Sequence, residues 1–150
     1  GAPASLEVLR ERYRKLESRR SADGREFWLN WAIVARELGP DAIGFVQATV
    51  LEDGRAWAAY EVGHAWWGRG FATEATRAML EHLEAAYAVT QFMATVDRRN
   101  ERSWRLLERL AFRRADAQDA AAMEAQPGDW LYRLQRAGAE AATGGATPCR

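Results

Sequence analysis

The chain of 150 residues is poor in the side chains that staple, ligate or anchor a protein. Its single cysteine, Cys149, cannot form an internal disulfide, and neither of the two histidines, His64 and His82, stands in a cluster with zinc spacing, so no metal site is expected. Lys15 is the one lysine among 21 basic residues, which rules out a phosphate loop ending in Gly-Lys-Ser/Thr. No run of about 18 apolar residues occurs, so no transmembrane helix is expected, and no signal-peptide pattern opens the sequence. The 21 basic residues are matched by 21 acidic ones, and bulk charge therefore favours neither nucleic acid nor an anionic membrane as partner. A reducing cytoplasm is the expected compartment. The bias to arginine and alanine points to a GC-rich bacterial genome.

What is present suits a single globular domain: 48% hydrophobic and 28% charged residues. We expect that domain over residues 1–136. Residues 137–150 are small and polar, with Gly144, Gly145 and Pro148, and read as a disordered tail. Leu6, Leu9, Tyr13 and Leu16 recur at helical spacing and predict an amphipathic helix over Pro3–Arg20, with Ser5 as its cap. Strands are expected over Phe27–Ala35, Ala42–Leu51 and Arg55–Gly63, forming a meander. Asp53-Gly54 between the last two is the signature of a type I′ hairpin. A helix follows over Ala72–Tyr87, its apolar stripe formed by Ala75, Met79, Leu83 and Ala86. Gln91–Val96 alternates as a strand, and Glu101–Leu110 reads as a short helix. Phe112–Arg114 and Trp130–Leu134 are closing strands around an irregular segment whose alanine-rich middle suits a helical turn.

Between the third strand and the long helix lies Trp67-Gly68-Arg69-Gly70. A helix N-terminus exposes unpaired N–H groups with a partial positive charge. Glycines ahead of it let an anion approach the backbone closely, and Arg69 adds a charged donor. A dinucleotide fingerprint fits less well, because the position three after Gly70 is Thr73. Alone, the turn indicates an anion site and nothing finer.

Trp67-Gly68-Arg69-Gly70-Phe71-Ala72-Thr73-Glu74-Ala75 resembles the acetyl-CoA-binding motif of the GNAT superfamily, in its ribosomal-protein N-acetyltransferase-like branch. A second stretch is similar to the same branch: Ala94-Thr95-Val96-Asp97, then Asn100 and Ser103, then Leu106 to Phe112. The resemblance covers residues 27–134. It implies an α+β (α/β) fold with a mixed, mostly antiparallel sheet flanked by helices, here apparently lacking the usual first strand and helix. It also implies an acetyl-CoA-dependent N-acetyltransferase in which a primary amine attacks directly within a ternary complex. Ala111 stands where the family usually has glycine, and Leu107 where other branches often have a tyrosine acid.

From the resemblance, the strand before the glycine turn splays from its neighbour, and Val62, Gly63 and His64 meet the pantetheine arm and polarise the thioester carbonyl. Trp67, Gly68, Arg69, Gly70, Phe71, Ala72 and Thr73 hold the pyrophosphate. Asn100 contacts the cofactor, caps the helix, or does both. Ser103 lies near the sulfur as a proton donor. Glu61 is the candidate base, with Tyr60 as the substitute, a substrate contact or proton donor, since alternation turns one of the two toward the cleft. Arg98, Arg99, Arg102 and Arg105 meet the 3′-phosphate or form a solvated rim. Phe27, Trp28, Trp31, Trp57, Trp66 and Trp67 are expected mostly in the core, the others lining an acceptor pocket. The acceptor is an amine-bearing small molecule or a protein N-terminus, and a homodimer is left open. A non-catalytic acyl-CoA-binding module, or a transferase of longer acyl chains, are the competing readings.

Overall fold

The structure, a computed structural model, describes residues 19–123 and 126–137. The expected N-terminal helix up to residue 18, Cys149 and the expected tail beyond residue 137 lie outside the described residues.

Six strands form one sheet in the order β1-β2-β3-β4-β6-β5. β1 (Glu26–Val34), β2 (Ala42–Leu51) and β3 (Arg55–Val62) make the expected antiparallel meander. The β2–β3 turn is a hairpin, but not of type I′. Only Gly54 has positive φ, at 79°, and its N–H donates to the Leu51 carbonyl at 3.3 Å. A loop of Glu52, Asp53 and Gly54 needs left-handed backbone at its last residue alone, and glycine supplies it.

Helix α1 (Phe71–Tyr87) crosses over β2 and β3 to bring the chain to β4 (Gln91–Asp97), which lies parallel to β3. Met79, Leu80 and Leu83 are buried on its inner face. The stripe is rotated slightly from the expected one: Thr76 is buried and Ala86 is exposed. Phe27 and Trp31 of β1 meet Tyr87 and His82 edge-on, so one face of the meander is sealed by α1. The Phe27, Leu29, Trp31 and Ile33 side chains share that face by strand alternation. The opposite face carries Val34 and Phe45, exposed at 48% and 39%.

Helix α2 (Glu101–Arg109) then leads to the short β5 (Arg113–Arg114), helix α3 (Ala117–Ala122) and β6 (Asp129–Gln135), which pairs antiparallel with β4 over seven residues. The alanine-rich segment thus forms a full short helix, because Asp116 caps it by accepting from the Asp119 N–H at 2.8 Å. Leu106, Leu107, Leu110, Phe112, Phe92 and Leu134 belong to the same buried cluster as the meander's core.

α2 ends in paired bonds of the Schellman type: Phe112 N–H to Leu107 O at 3.0 Å and Ala111 N–H to Glu108 O at 2.9 Å. That geometry needs left-handed backbone at residue 111, where an alanine is held at φ 68°. A left-handed alanine costs about 1–2 kcal/mol, part of which a glycine loses again to chain entropy. Ala111→Gly is expected to stabilise the fold by about 0.5–1 kcal/mol in urea unfolding; a lower midpoint would contradict this reading.

Candidate active site

The two halves of the sheet are joined by only three residue pairs. β3 and β4 pair at Arg55–Gln91, Ala56–Phe92 and Trp57–Met93, and beyond Trp57 they part. Each then runs on with its outer neighbour: β3 with β2 to Val62, β4 with β6 to Asp97. The antiparallel ladder of β2 and β3 uses the backbone of Glu61 and Gly63, the latter donating to the Ile43 carbonyl at 2.8 Å. The alternate residues Tyr60 and Val62 therefore turn their N–H groups away from β2, toward the gap.

A cleft of about 1230 Å³ fills this gap. β3 contributes Tyr60, Glu61 and Val62; the glycine turn and start of α1 contribute Trp67, Gly68, Gly70, Phe71, Ala72 and Thr73; α2 and its cap contribute Asn100, Arg102, Ser103 and Leu106. Gly68 and Gly70 have φ of 73° and 85°, and a Cβ on either would project into open space. Gly70 caps α1 without any side-chain bond, so the first N–H groups of the helix are left for an anion. Those observations fit a phosphate-bearing ligand.

Three expected cofactor contacts stand elsewhere. Gly63 and His64 do not line the cleft, and the Gly63 N–H is already taken by Ile43. His64 instead meets the ring of Trp67 edge-on. Arg69 folds back over the rings of Trp66 and Phe71, at 5.4 and 5.2 Å, and is likewise absent from the lining. Trp67 anchors the turn by donating from its indole to the Val62 carbonyl at 2.7 Å, with half its surface exposed.

Of the four arginines singled out near the second motif, Arg102 and Arg105 line the cleft. Arg99 is bound to Asp97, whose carboxyl it holds at about 2, and Arg98 is not in the lining. Two further arginines, Arg77 and Arg109, complete the set and were not anticipated. Their signal was helical spacing: Arg77 lies one turn after Thr73, and Arg102, Arg105 and Arg109 recur at three and four. Arg105 pairs with Glu101, which leaves Arg77, Arg102 and Arg109 without an ion-pair partner among the described residues. Arg102 lies over the ring of Trp67 at 5.0 Å, across the mouth of the cleft.

Asn100 caps α2, its side chain accepting from the Ser103 N–H at 3.2 Å. Tyr60 and Glu61 both line the cleft, contrary to the expectation that alternation admits one of them. The open seam exposes both faces of β3. Tyr60 turns to the helix side, where its phenol reaches Ser103, while Glu61 is exposed on the face that carries Phe45, its cross-strand partner. Burial raises the Tyr60 phenol above its ordinary range, offset in part by Ser103 and by the positive Arg109. The aromatic residues are less buried than expected: Phe27, Trp31 and Trp66 pack half-buried against the core, and Trp66 and Trp67 line the cleft. Trp28 and Trp57 are half-buried and lie outside the lining. Leu107 is buried in the core.

The model of the acetyltransferase (GNAT) domain family matches residues 1–113. The chain belongs to this family and is, in class, an N-acetyltransferase. No curated protein matches its sequence. Among solved structures, it is similar to a ribosomal-protein-S5-alanine acetyltransferase from Vibrio fischeri (TM-score 0.66, 19% identity, 87% of this chain and 72% of that one). RimJ from Mycobacterium smegmatis, in complex with a CoA-disulfide, gives a TM-score of 0.68 at 18% identity over 87% of this chain and 62% of its own. RimL, a ribosomal-protein acetyltransferase in complex with coenzyme A, gives 0.69 at 15% identity over 89% of this chain and 74% of its own. The chain thus spans less than two thirds of RimJ. At these identities the likeness is one of fold. Among the described residues no helix is long and apolar enough to cross a membrane, and no group of three or more metal-ligating side chains gathers.

Gly44, facing Val62 across the ladder, lets β2 approach β3 at the edge of the cleft. A Cβ there would overlap the Glu61 carbonyl oxygen and lie 2.9 Å from the Val62 Cα. Both are backbone atoms, so the strand itself has to move. Gly44→Ala is expected to cost about 1–3 kcal/mol in chemical denaturation and to weaken coenzyme A binding by calorimetry; wild-type values for both would contradict this.

Proposed function

We propose that the chain transfers an acetyl group from acetyl-CoA to a primary amine, by direct attack within a ternary complex. The observation that carries this reading is the seam itself: free backbone amides of Tyr60 and Val62, a helix N-terminus with no side-chain cap behind two left-handed glycines, and three arginines without an ion-pair partner among the described residues open on one cleft. Bound acetyl-CoA would supply a thioester carbon as the electrophile. The Val62 N–H is placed to pair with the pantetheine arm, and the α1 N-terminus with the pyrophosphate. Arg77, Arg102 and Arg109 add positive charge for the remaining phosphate. Glu61, on the open face of β3, takes the proton of the incoming ammonium; Ser103, on the helix side, supplies one to the departing thiolate. Acid and base thus work from opposite faces of the sheet, with the thioester between them.

Two of the named neighbours, the S5-alanine enzyme and RimL, are ribosomal-protein acetyltransferases by name, which supports a protein N-terminus as acceptor, with a small-molecule amine as the alternative. Because acetyl-CoA is an intracellular donor, we place the reaction in the cytoplasm. The test is release of CoA thiol when the purified protein meets acetyl-CoA and a panel of N-terminal peptides and small amines. Glu61→Gln is expected to lower kcat by about 10²-fold while the Kd for coenzyme A stays within about twofold. Unchanged kcat at saturating substrates would remove Glu61 as base. Coenzyme A binding without turnover on any amine would favour a non-catalytic module, and faster turnover of a longer thioester would reassign the donor.

A further inference from the structure

One phenol in the cleft touches two oxygens of a single residue. Tyr60 Oη lies 2.7 Å from Ser103 Oγ and 3.0 Å from the Ser103 carbonyl oxygen. Tyr60 has one proton to donate, so the pair has two arrangements. In the first, Tyr60 donates to the carbonyl and Ser103 donates to the phenol. In the second, Tyr60 donates to Ser103 Oγ, and the serine proton is free to point into the cleft that both residues line. Neither arrangement strands a buried polar atom. The Ser103 carbonyl lies inside α2, where the N–H four residues on, that of Leu107, is its helical partner. Turning two O–H bonds interconverts the states with no movement of a heavy atom.

We propose that Tyr60 is a positioning residue that acts through Ser103, freeing the serine proton for the leaving sulfur and replacing it from its own hydroxyl. The proposal rests on the acetyl-transfer reading of this cleft. As the bond from amine nitrogen to carbonyl carbon forms and the carbon–sulfur bond breaks, the electron pair of that bond stays on sulfur. Ser103 Oγ–H passes its proton to sulfur while Tyr60 Oη–H passes its own to Ser103 Oγ, so no serine alkoxide is left. The nitrogen sheds two protons, one as the ammonium and one as the bond to the carbonyl carbon forms; both leave in turn through Glu61 to water, and the phenolate regains one from water, so one proton is released overall. Arg109, whose positive charge reaches Tyr60, steadies the phenolate in the interval. A phenol is already protonated at neutral pH, and burial raises it further, so the proton stays on Tyr60 until Ser103 gives up its own.

The same bond also ties β3 to α2 across the seam, and a purely structural tether is the rival account. The two differ in the chemical step. Single-turnover rates with acetyl-CoA and an accepted amine would be measured for the wild type, Tyr60→Phe, Ser103→Ala and the double variant, with coenzyme A binding and melting temperature as controls. Tyr60→Phe is expected to slow the step at least about tenfold while coenzyme A affinity stays within about twofold. The double variant is expected to be no slower than Ser103→Ala, since residues acting as a unit are not additive. In H2O–D2O mixtures the wild-type rate is expected to bow more strongly than that of Tyr60→Phe, because two protons move together. Additive losses, an unchanged rate in Tyr60→Phe, or identical isotope curves would overturn the proposal. A wild type that consumes no acetyl-CoA with any amine would instead bring down the transfer reading on which it rests.

Discussion

The structure depends on a short parallel seam. Three residue pairs, from Arg55–Gln91 to Trp57–Met93, hold a three-stranded meander to the β4–β6–β5 half of the sheet. A parallel pair needs a crossover, and α1 provides it; its N-terminus therefore lies at the end of β3, where the strands have already parted. The strand that ends early, the exposed amides and the open helix start are consequences of one topological step. Had β3 and β4 paired to their ends, Val62 and Tyr60 would have no free amides and the cleft would be closed.

The seam also separates the charges. The chain is neutral overall, and the cleft gathers Arg77, Arg102, Arg105 and Arg109 from two helices beside the carboxylates of Glu61, Glu74 and Glu101. Only one of these arginines is neutralised by an ion pair of its own, to Glu101. Four arginines against three glutamates leave the lining a small positive balance within a neutral chain, and the field within a cleft is set by the nearest groups, with more distant ones screened. Glu61 and the Tyr60–Ser103 pair, to which we assign opposite duties, reach this site from opposite sheet faces because the seam is open between them.

Much of the fold was legible in the sequence. The strand-forming run at residues 27–35, the alternation over Gln91–Val96, the apolar spacing of Met79 and Leu83, and the positions of Gly54, Gly68 and Gly70 each state a local requirement that backbone sterics enforce. Those requirements hold whatever the rest of the molecule does. What alternation misjudged was Tyr60 against Glu61, since the rule assumes a continuous sheet in which one face is hidden. At an open seam it no longer separates lining from non-lining residues. Arg77 and Arg109 escaped notice because they lie on different helices, and their convergence is a property of packing. Arg69 and Gly63 were favoured by motif position; in the structure aromatic stacking and a ladder bond to Ile43 engage them, and neither lines the cleft. The left-handed backbone of Ala111 was signalled only by the resemblance, which has glycine there, as alanine itself seldom marks such a site.

Backbone amides in the open seam are the direct test of this account, and hydrogen exchange reads them one by one. Exchange would be followed with and without coenzyme A, at concentrations that saturate binding. The account predicts that coenzyme A slows exchange of the Tyr60 and Val62 amides and of the first turn of α1, residues 71–73, while the Gly63 amide, already bound to Ile43, changes little. Protection confined to other segments, or none on binding, would contradict a cofactor seated in the seam.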